Sequence, residues 1–298
     1  MRKRAPASLP GRLVEQWPDA VLIADARGRI LYVNRAFESL TGYSRREVIG
    51  RTPAVLKSGT HDPRFYRRFW KRLRAGKPFR GVFLNRRKSG ELFHEEEIIH
   101  PLRGPGGRIA WFACAGRDVS AHVREERRLR HAATHDALTG LPNRRLYADR
   151  LTQVMNAARR RRERFAVAIV DLDGFKAANT RFGHAAGDAV LRAVAQRTAR
   201  SLRAVDTVAR YGGDEFALII AGPVDRAAVA TVLEKVRARN ARAVRYGRSE
   251  IGVTLSIGAA LYPGHARRPA LLVKRADAAM YAAKKAGGNR WRFAGNRS

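Results

Sequence analysis

Two acidic side chains stand two positions apart at the end of an apolar run. Asp171 and Asp173 follow residues 165–170, all of which are apolar. Such a run predicts a buried strand, and because strand side chains alternate between faces, both carboxylates are expected on one face. Strand ends carry many catalytic and ligand-binding groups, since the loops there present side chains to solvent. The spacing therefore indicates a candidate site.

More carboxylates follow a tight turn. Asp214 and Glu215 come directly after Gly212-Gly213, between two short runs that predict a hairpin. If the four acids converged, each would raise the pKa of the others unless a cation neutralised them, and such hard oxygen ligands suit Mg²⁺ or Mn²⁺. A plain hairpin is the alternative, because Gly-Gly turns and acids beside turns are both common. The acids alone leave both interpretations open.

The composition is typical of a globular protein with two domains. The chain has 298 residues, 45% hydrophobic and 29% charged, and its apolar runs are too short to span a bilayer. No apolar segment or cleavage site follows the basic N-terminus, and Cys114 is the single cysteine. We therefore expect a cytoplasmic protein without a signal peptide, membrane partner or disulfide, with Cys114 buried as a small apolar residue.

The net charge is strongly positive. It is +34 at pH 7, and 29 of the 60 lysines and arginines precede His135, so the charge is spread along the chain. Such a field attracts anions and is compatible with a polyanionic small substrate, with nucleic acid or with compositional bias. No helix-turn-helix or zinc pattern accompanies the charge, so we do not expect nucleic acid as a partner.

The first half combines short strands and short helices. Strands are predicted at 20–25, 30–34, 80–85, 92–100 and 108–118, and helices at 35–41, 44–49 and 63–75. With Asp25, Gly28, Ile30, Phe37, Thr41-Gly42-Tyr43 and the segments 85–90 and 116–120, residues 9–120 resemble a PAS domain. The resemblance implies a sensor with an antiparallel sheet and short helices. Its ligand stays open between haem held by His61, His94 or His100, a flavin, and no ligand.

A charged segment joins the two halves. Residues 121–134 contain neither Gly nor Pro, and apolar side chains recur there near heptad spacing. The segment predicts a connecting helix. It either pairs with its copy in a dimer or is a solvated linker.

The second half alternates helix and strand, which predicts a central sheet with helices packed against it. Residues 135–145 are expected to lead into a helix that reaches about 162, and further helices are expected at 187–201, 225–239 and 269–285. Strands are expected at 165–171, 207–210, 216–220 and 253–261. Residues 210–216, Arg-Tyr-Gly-Gly-Asp-Glu-Phe, resemble letter for letter the signature of the GGDEF family of diguanylate cyclases. The resemblance extends over about residues 133–293, through the segments 136–145, 171–176, 183–188, 256–258 and 276–284.

Together the resemblances imply an α+β / α/β protein in three parts. A PAS sensor domain occupies 9–120, a connecting helix 121–134 and a GGDEF domain 135–295. The GGDEF domain is expected to have a central, mostly antiparallel sheet flanked by helices, as in nucleotidyl cyclases.

The GGDEF resemblance also implies a metal site. At the matching positions, Asp171, the backbone carbonyl of Leu172 and Asp214 would be ligands of Mg²⁺. Glu215 would be either a further ligand or a base beside the reacting 3′-hydroxyl group.

The same resemblance implies a GTP site. Asn179 and Asp188 would bind guanine, since an acceptor carboxylate opposite the N1–H and amino groups rejects adenine. Lys176, Lys284 and the backbone amides around Phe175 would hold the triphosphate, and Gly212 and Gly213 would let the chain approach phosphate. As alternatives, Lys284 is an exposed helix lysine and Asn179 a turn or cap residue.

The implied reaction joins two GTP molecules into cyclic di-GMP and releases two pyrophosphates. Because one domain of this type holds one GTP, the mechanism implies a homodimer. Arg203 and Asp206 stand at the family's offset for a product-inhibition site that binds cyclic di-GMP; a surface ion pair is the alternative. A catalytically idle domain that acts as a receptor for cyclic di-GMP or GTP is the competing function.

Two positions depart from the family pattern. Gly288 replaces a phosphate-facing arginine, and Thr180 replaces an aspartate next to Asn179. We predict activity with weakened GTP binding, partly compensated by Lys285 or Arg290. After Arg292 no segment resembles a phosphodiesterase domain of the EAL type.

Overall fold

The computed structural model describes residues 9–295, and the chain divides into two compact units after Arg128. The division falls inside helix α5, Ser120–Thr134, which contains the predicted connecting segment. None of the helices within residues 9–295 is long and apolar enough to cross a membrane.

The N-terminal unit is built on one antiparallel sheet. Its elements in chain order are α1 Leu9–Gln16, β1 Ala20–Asp25, β2 Ile30–Val33, α2 Arg35–Thr41, α3 Arg45–Val48, a 3-10 helix Pro53–Leu56, α4 Pro63–Arg74, β3 Phe79–Arg86, β4 Leu92–Arg103 and β5 Ile109–Asp118. The strands lie in the order β2-β1-β5-β4-β3, and every neighbouring pair is antiparallel. This is the arrangement that the PAS resemblance implied.

Local signals explain most of these boundaries. The side chain of Asn34 caps α2 by accepting a hydrogen bond of 2.9 Å from the backbone amide of Phe37, and Gly42 ends the helix in the left-handed conformation. Helix α1 and the 3-10 helix were not predicted, because eight and four residues are too few to establish a helical period. Cys114 was predicted to be buried among apolar groups; it is half-buried, and its Sγ lies 3.3 Å from Oε2 of Glu97.

The C-terminal unit holds a five-stranded sheet with helices on both faces. Its elements in chain order are α6 Arg144–Arg161, β6 Phe165–Asp173, α7 Phe175–Phe182, α8 His184–Ala199, β7 Thr207–Gly212, β8 Glu215–Ile220, α9 Arg226–Asn240, β9 Val244–Tyr246, β10 Ser249–Ile251, β11 Thr254–Tyr262, α10 Pro269–Lys285 and β12 Arg290–Phe293. The strands lie in the order β12-β11-β6-β8-β7, and only the β11–β12 pair is parallel. The predicted fold class is confirmed.

Strand β6 lies in the middle of this sheet and is buried on both faces. Its side chains at Val170 and Leu172 belong to a core with α8 and α9, whereas Val167 and Ile169 belong to a second core with α6 and α10. Burial on both faces explains why the sequence there is a continuous apolar run rather than an alternating one.

The structure corrects the sequence prediction between β6 and β7. One helix was predicted between these strands, at 187–201, but two are present: α7 was not predicted, and α8 begins three residues earlier than expected. Gly174 and Gly183 have φ values of 75° and 84°, a left-handed region that favours glycine, and they stand before and between the two helices. The β9–β10 hairpin and β12 were also missed, because each is only three or four residues long.

Candidate active site

The central feature of the site is a pair of carboxylates on neighbouring strands. Asp171 of β6 lies directly opposite Glu215 of β8 in the antiparallel ladder. Side chains opposite one another in such a ladder project to the same face, with Cβ atoms about 4.5–5.5 Å apart. The ladder between these strands ends at this pair, so the backbone of Leu172 has no strand partner on that side.

The side chain of Arg210 stabilises the turn that carries Asp214. Nε of Arg210 donates a hydrogen bond of 2.9 Å to the carbonyl of Gly213, and its Nη1 lies 3.1 Å from Oδ2 of Asp136. Asp136 in turn accepts hydrogen bonds from the amide and hydroxyl groups of Thr139. The Asp136–Arg210 pair therefore fixes the turn through its backbone, with Gly213 in the left-handed region at φ 45°.

The acids perturb one another. Burial raises the pKa of Asp171, and the charges of Asp214 and Asp173 raise it further, while a hydrogen bond from Lys284 opposes this effect. Burial also raises the pKa of Glu215, helped by the charges of Asp171, Asp277 and Asp214. These effects couple the titration of Asp171 and Glu215 to the charges of the neighbouring acids.

One cation of the protein already occupies this environment. Nζ of Lys284, on α10, lies 2.5 Å from Oδ1 of Asp171, and that hydrogen bond raises the pKa of the lysine. Within residues 9–295, no three His, Cys, Asp or Glu side chains are already gathered as ligands around a metal position. The donor set of carboxylates nevertheless has the chemistry that Mg²⁺ prefers, and Lys284 now supplies the positive charge beside it.

The two residues predicted to bind guanine lie on neighbouring helices, Asn179 on α7 and Asp188 on α8. The side chain of Asn179 is packed against Gly187, where an added Cβ would collide with its Oδ1 atom. That oxygen is buried and accepts no hydrogen bond from the described residues. Asp188, the next residue after Gly187, is half-buried.

Lys176 lies in the first turn of α7 and is exposed, beside the half-buried Phe175. The first backbone amides of a helix have no partners within it, and they favour anions. These amides and the Lys176 ammonium group are available to a phosphate group.

The loop after α10 explains the glycine that replaces the family's arginine. Gly288 has a φ of 68°, and a Cβ there would lie 2.8 Å from the carboxylate of Asp173. That carboxylate accepts hydrogen bonds from the hydroxyl groups of Thr254 and Ser256 at 2.7 and 2.6 Å and from the amide of Asn289 at 2.8 Å. The close approach needs a glycine at position 288.

The two residues expected to compensate for that glycine have other contacts. Nζ of Lys285 lies 4.7 Å from the centre of the Tyr281 ring, and Nε of Arg290 donates to the carbonyl of Gly288 at 3.0 Å. Their compensation stays a prediction.

Arg203 and Asp206 form an ion pair, with Nη2 of the arginine 3.3 Å from Oδ1 of the aspartate, which is the alternative considered beside a product site. The side chain of Asp206 is 0% exposed, and its carboxylate accepts hydrogen bonds from the backbone amides of Arg203 and Ala221 at 2.9 and 3.0 Å. The Arg203 guanidinium group is 59% exposed and donates to the carbonyl of Ala221 at 2.7 Å. Asp206 therefore orients the arginine, which keeps donors free for a ligand.

Sequence reasoning missed Asp277 of α10, whose charge raises the pKa of Glu215. It singled out Asp173 as a candidate acid but did not indicate that its carboxylate accepts a hydrogen bond from the amide of Asn289 in the loop after α10. Asp277 lies in the quoted segment 276–284, so the motif could have marked it. The Asp136–Arg210 pair joins two quoted motifs, but no spacing in the sequence indicates that they meet.

The three histidines considered as haem ligands lie in the N-terminal unit. Nε2 of His61 accepts a hydrogen bond of 2.7 Å from the amide of Leu84, and the ring is stacked on Phe65. His94 is half-buried, and His100 is exposed.

Comparison with known proteins assigns both units. The family model described as "Diguanylate cyclase, GGDEF domain" matches residues 133–290, and the PAS fold model matches residues 9–119. The chain therefore belongs to the GGDEF family, with a PAS domain preceding its GGDEF domain.

Relatives with assigned activities share one or both units. The bifunctional diguanylate cyclase/cyclic di-GMP phosphodiesterase MucR of Pseudomonas aeruginosa is 47% identical over 57% of this chain and 25% of its own length. Diguanylate cyclase TpbB of the same species is 44% identical over 54% of this chain and 37% of its own. The cyclic di-GMP phosphodiesterase PdeR of Escherichia coli is 31% identical over 94% of this chain and 42% of its own length. The chain thus spans about a quarter to two fifths of these relatives.

Solved structures agree with the fold of the C-terminal unit. The GGDEF domain of TpbB matches with a TM-score of 0.53 and 42% identity, over 54% of this chain and 94% of that one. The coiled coil and GGDEF domain of DgcB from Caulobacter crescentus, solved in complex with c-di-GMP, matches with a TM-score of 0.54 and 34% identity, over 58% and 93%.

Proposed function

We propose that this protein is a diguanylate cyclase that condenses two GTP molecules into cyclic di-GMP and two pyrophosphates. The observation that carries the proposal is the Asp171–Glu215 pair at the end of the β6–β8 ladder, next to the turn that presents Asp214. GGDEF-family membership and the relatives named diguanylate cyclases support it.

Asp171, Asp214 and the Leu172 carbonyl would hold Mg²⁺ or Mn²⁺, with Glu215 beside them. When bound, the metal would neutralise charge on the triphosphate and polarise the reacting phosphate. Burial and the neighbouring acids raise the pKa of Glu215, which would make its carboxylate a better acceptor for the proton of a 3′-hydroxyl group. On arrival of the substrate, Lys284 would exchange its contact with Asp171 for a phosphate oxygen.

Guanine would bind between α7 and α8. The unpartnered Oδ1 of Asn179 and the neighbouring carboxylate of Asp188 supply acceptors at this place, and guanine presents N–H donors on its N1 and exocyclic amino groups. Adenine would leave these acceptors unsatisfied, which is the basis of selection. The triphosphate would then reach Lys176 and the free amides at the start of α7.

The reaction needs two such units facing each other. The 3′-oxygen of one GTP forms a bond to the α-phosphorus of the other, the bond to pyrophosphate breaks, and the 3′-hydroxyl proton passes to a base. The second 3′-oxygen repeats the step and closes the ring. We therefore propose a homodimer, whose two-fold symmetry matches that of the product.

We further propose control at two levels. The PAS domain would regulate the cyclase through α5, and cyclic di-GMP would inhibit it by binding the exposed guanidinium group of Arg203. Arginine suits this ligand because its planar fork pairs with both phosphate oxygens and guanine edges.

Incubation of the full chain with GTP and Mg²⁺, followed by chromatography of the nucleotides, tests the proposal. We expect cyclic di-GMP and pyrophosphate, and none from Asp214→Ala. Asp149→Ala, a surface change on α6, is the matched control and should be fully active. Binding of cyclic di-GMP or GTP with no turnover under Mg²⁺ or Mn²⁺ would instead assign the idle receptor.

A further inference from the structure

The PAS unit contains a cavity of about 280 Å³ that the proposed cyclase chemistry does not use. Most of its wall is aromatic or aliphatic, including Leu22, Phe69, Trp70, Phe83, Ile99 and Phe112. Small-molecule sites commonly have volumes of about 300–1,000 Å³, so this cavity suits a compact ligand.

A pair of carboxyl groups forms the polar part of the wall. Glu95 and Glu97 stand two residues apart on β4 and therefore project from the same face of the sheet. Nδ2 of Asn85 donates to both, at 2.8 Å to Oε2 of Glu95 and 3.1 Å to Oε1 of Glu97. Gly116 on β5 makes room for this pair, because a Cβ there would collide with Oε1 of Glu95.

Neither carboxyl group forms an ion pair within residues 9–295. Glu95 is only 4% exposed, and its Oε1 accepts no hydrogen bond from the described residues. Burial of a carboxylate without a compensating charge is costly, and the chain has 60 lysines and arginines from which a partner could have come. The charge that would balance this pair is therefore absent from the protein's own contacts.

Arg87, whose charge acts on Glu95, has other partners, and the cavity lining also includes Lys57 and the exposed Arg27. Nη2 of Arg87 pairs with Asp118 at 2.5 Å, and its Nε pairs with Glu91 at 3.2 Å. Nζ of Lys57, which also lines the cavity, lies 4.2 Å from the centre of the Tyr66 ring.

The electrostatics agree with this geometry. Burial raises the pKa of Glu95, with a further rise from Asp118 that Asn85 and Arg87 oppose. Burial and then the charge of Glu95 raise the pKa of Glu97. Burial raises the pKa of Tyr66 and of the Cys114 thiol, and the charge of Glu97 adds to each rise, so both groups favour their neutral forms beside the carboxyl pair.

We propose that this cavity binds a small organic cation, an amine or guanidine on an apolar body, with its charged group against Glu95 and Glu97 and its body against the aromatic wall. Donors on the ligand would satisfy Oε1 of Glu95 and the free lone pairs of Glu97. The two ligand classes considered from the sequence fit less well. Haem has no histidine in the described lining of the cavity, and the carboxyl pair repels the anionic groups of haem and flavins.

Calorimetric titration of the full chain tests the proposal. The probes are phenethylamine, tyramine, cyclohexylamine and agmatine, with 3-phenylpropionate and 2-phenylethanol as the anionic and neutral counterparts of the first. We expect at least one cation to bind, and phenethylamine to bind at least roughly tenfold more tightly than its counterparts at pH 8. Binding should weaken at pH 6 and release protons at neutral pH, because a bound cation favours the ionised carboxyl groups.

Variants of the two glutamates on β4 test whether the cation binds at this carboxyl pair. Glu97→Gln and Glu95→Gln should each weaken cation binding by roughly tenfold or more, because the shape is kept and the charge is lost. Glu96→Gln is the matched control, since Glu96 lies between them on the opposite face and pairs with Arg80 and Arg117. Thermal unfolding and circular dichroism of each variant check the fold.

Four outcomes would overturn the proposal. They are no binding of any cation, equal binding of 3-phenylpropionate, unchanged affinity in both glutamate variants, or a visible absorption spectrum of haem or flavin in the freshly purified chain. Cyclase activity is measured separately, so its loss or presence does not affect these results.

Discussion

The ammonium group of Lys284 lies 2.5 Å from Oδ1 of Asp171, across the gap between α10 and the end of β6. The residue proposed to bind phosphate thus pairs with a residue proposed to bind metal. This contact opposes the rise in the pKa of Asp171 that burial, Asp214 and Asp173 cause.

Lys284→Met should therefore damage substrate binding more than folding. We expect KM for GTP to rise roughly tenfold or more, because a charge-assisted contact to phosphate is lost. Steady-state kinetics with GTP measure the change. Lys274→Met, an exposed lysine earlier on the same helix, is the control and should leave KM unchanged. Equal effects of the two variants would show that only the general positive field matters.

Arg210→Gln should loosen the turn that presents Asp214. The variant loses the bonds to Asp136 and to the carbonyl of Gly213, and we expect a loss of about 1–3 kcal/mol in the free energy of unfolding together with a lower kcat. Asp136→Asn removes the charge of the other partner in the same ion pair. The double variant should lose less free energy of unfolding than the two single variants added together, as measured by chemical denaturation. Strict additivity would mean that the pair does not couple.

Gly288→Arg, which restores the family residue, should not improve the enzyme. The backbone there has a φ of 68°, and a Cβ would meet the Asp173 carboxylate, so we expect a loss of about 1–3 kcal/mol in stability and no gain in GTP affinity. Ala286→Arg adds the same charge two residues earlier without positive φ and should be milder. Unchanged GTP affinity and turnover in Lys285→Ala and Arg290→Ala would rule out their compensating role.

Arg203→Ala and Asp206→Ala should separate ligand binding from folding. The exposed arginine should be dispensable for stability, and its loss should abolish inhibition by added cyclic di-GMP while leaving the initial rate intact. Asp206→Ala should instead lower the free energy of unfolding by about 1–3 kcal/mol, because two backbone amides lose their buried acceptor. Initial rates at increasing product concentration, with thermal unfolding, measure both. Persistent inhibition in Arg203→Ala would contradict the proposed site.

The unliganded PAS unit should lose stability as pH rises. Burial raises the pKa of Glu95 and Glu97 in the folded state, so the folded state binds more protons than the unfolded state above the ordinary carboxyl pKa. The contribution of these two groups to stability is therefore fully present below about pH 4 and is lost as the pH rises through their raised pKa values. The melting temperature between about pH 5 and pH 9 measures this slope. Glu97→Gln should flatten it, whereas Glu96→Gln should not.

Much of the fold followed from local patterns. Runs of alternating or continuous apolar residues marked all the long strands, and Asn34, Asp225 and Pro269 stand where helices begin. The short elements escaped because a strand of three residues, such as Val244–Tyr246, has no readable period. Helix α7 escaped because its limits are set by two glycines rather than by an apolar stripe.

The sequence by itself determined the two domain types and the residues of the candidate site, because the motifs are contiguous and each lies at the end of an apolar run. Tertiary structure alone decided which distant residues meet. Asp171 and Lys284 are 113 positions apart, and Asp173 and Asn289 are 116. It also placed Glu95 and Glu97 on the wall of a cavity, since strand alternation gives a residue its face but only packing decides whether that face meets solvent, core or a space for a ligand.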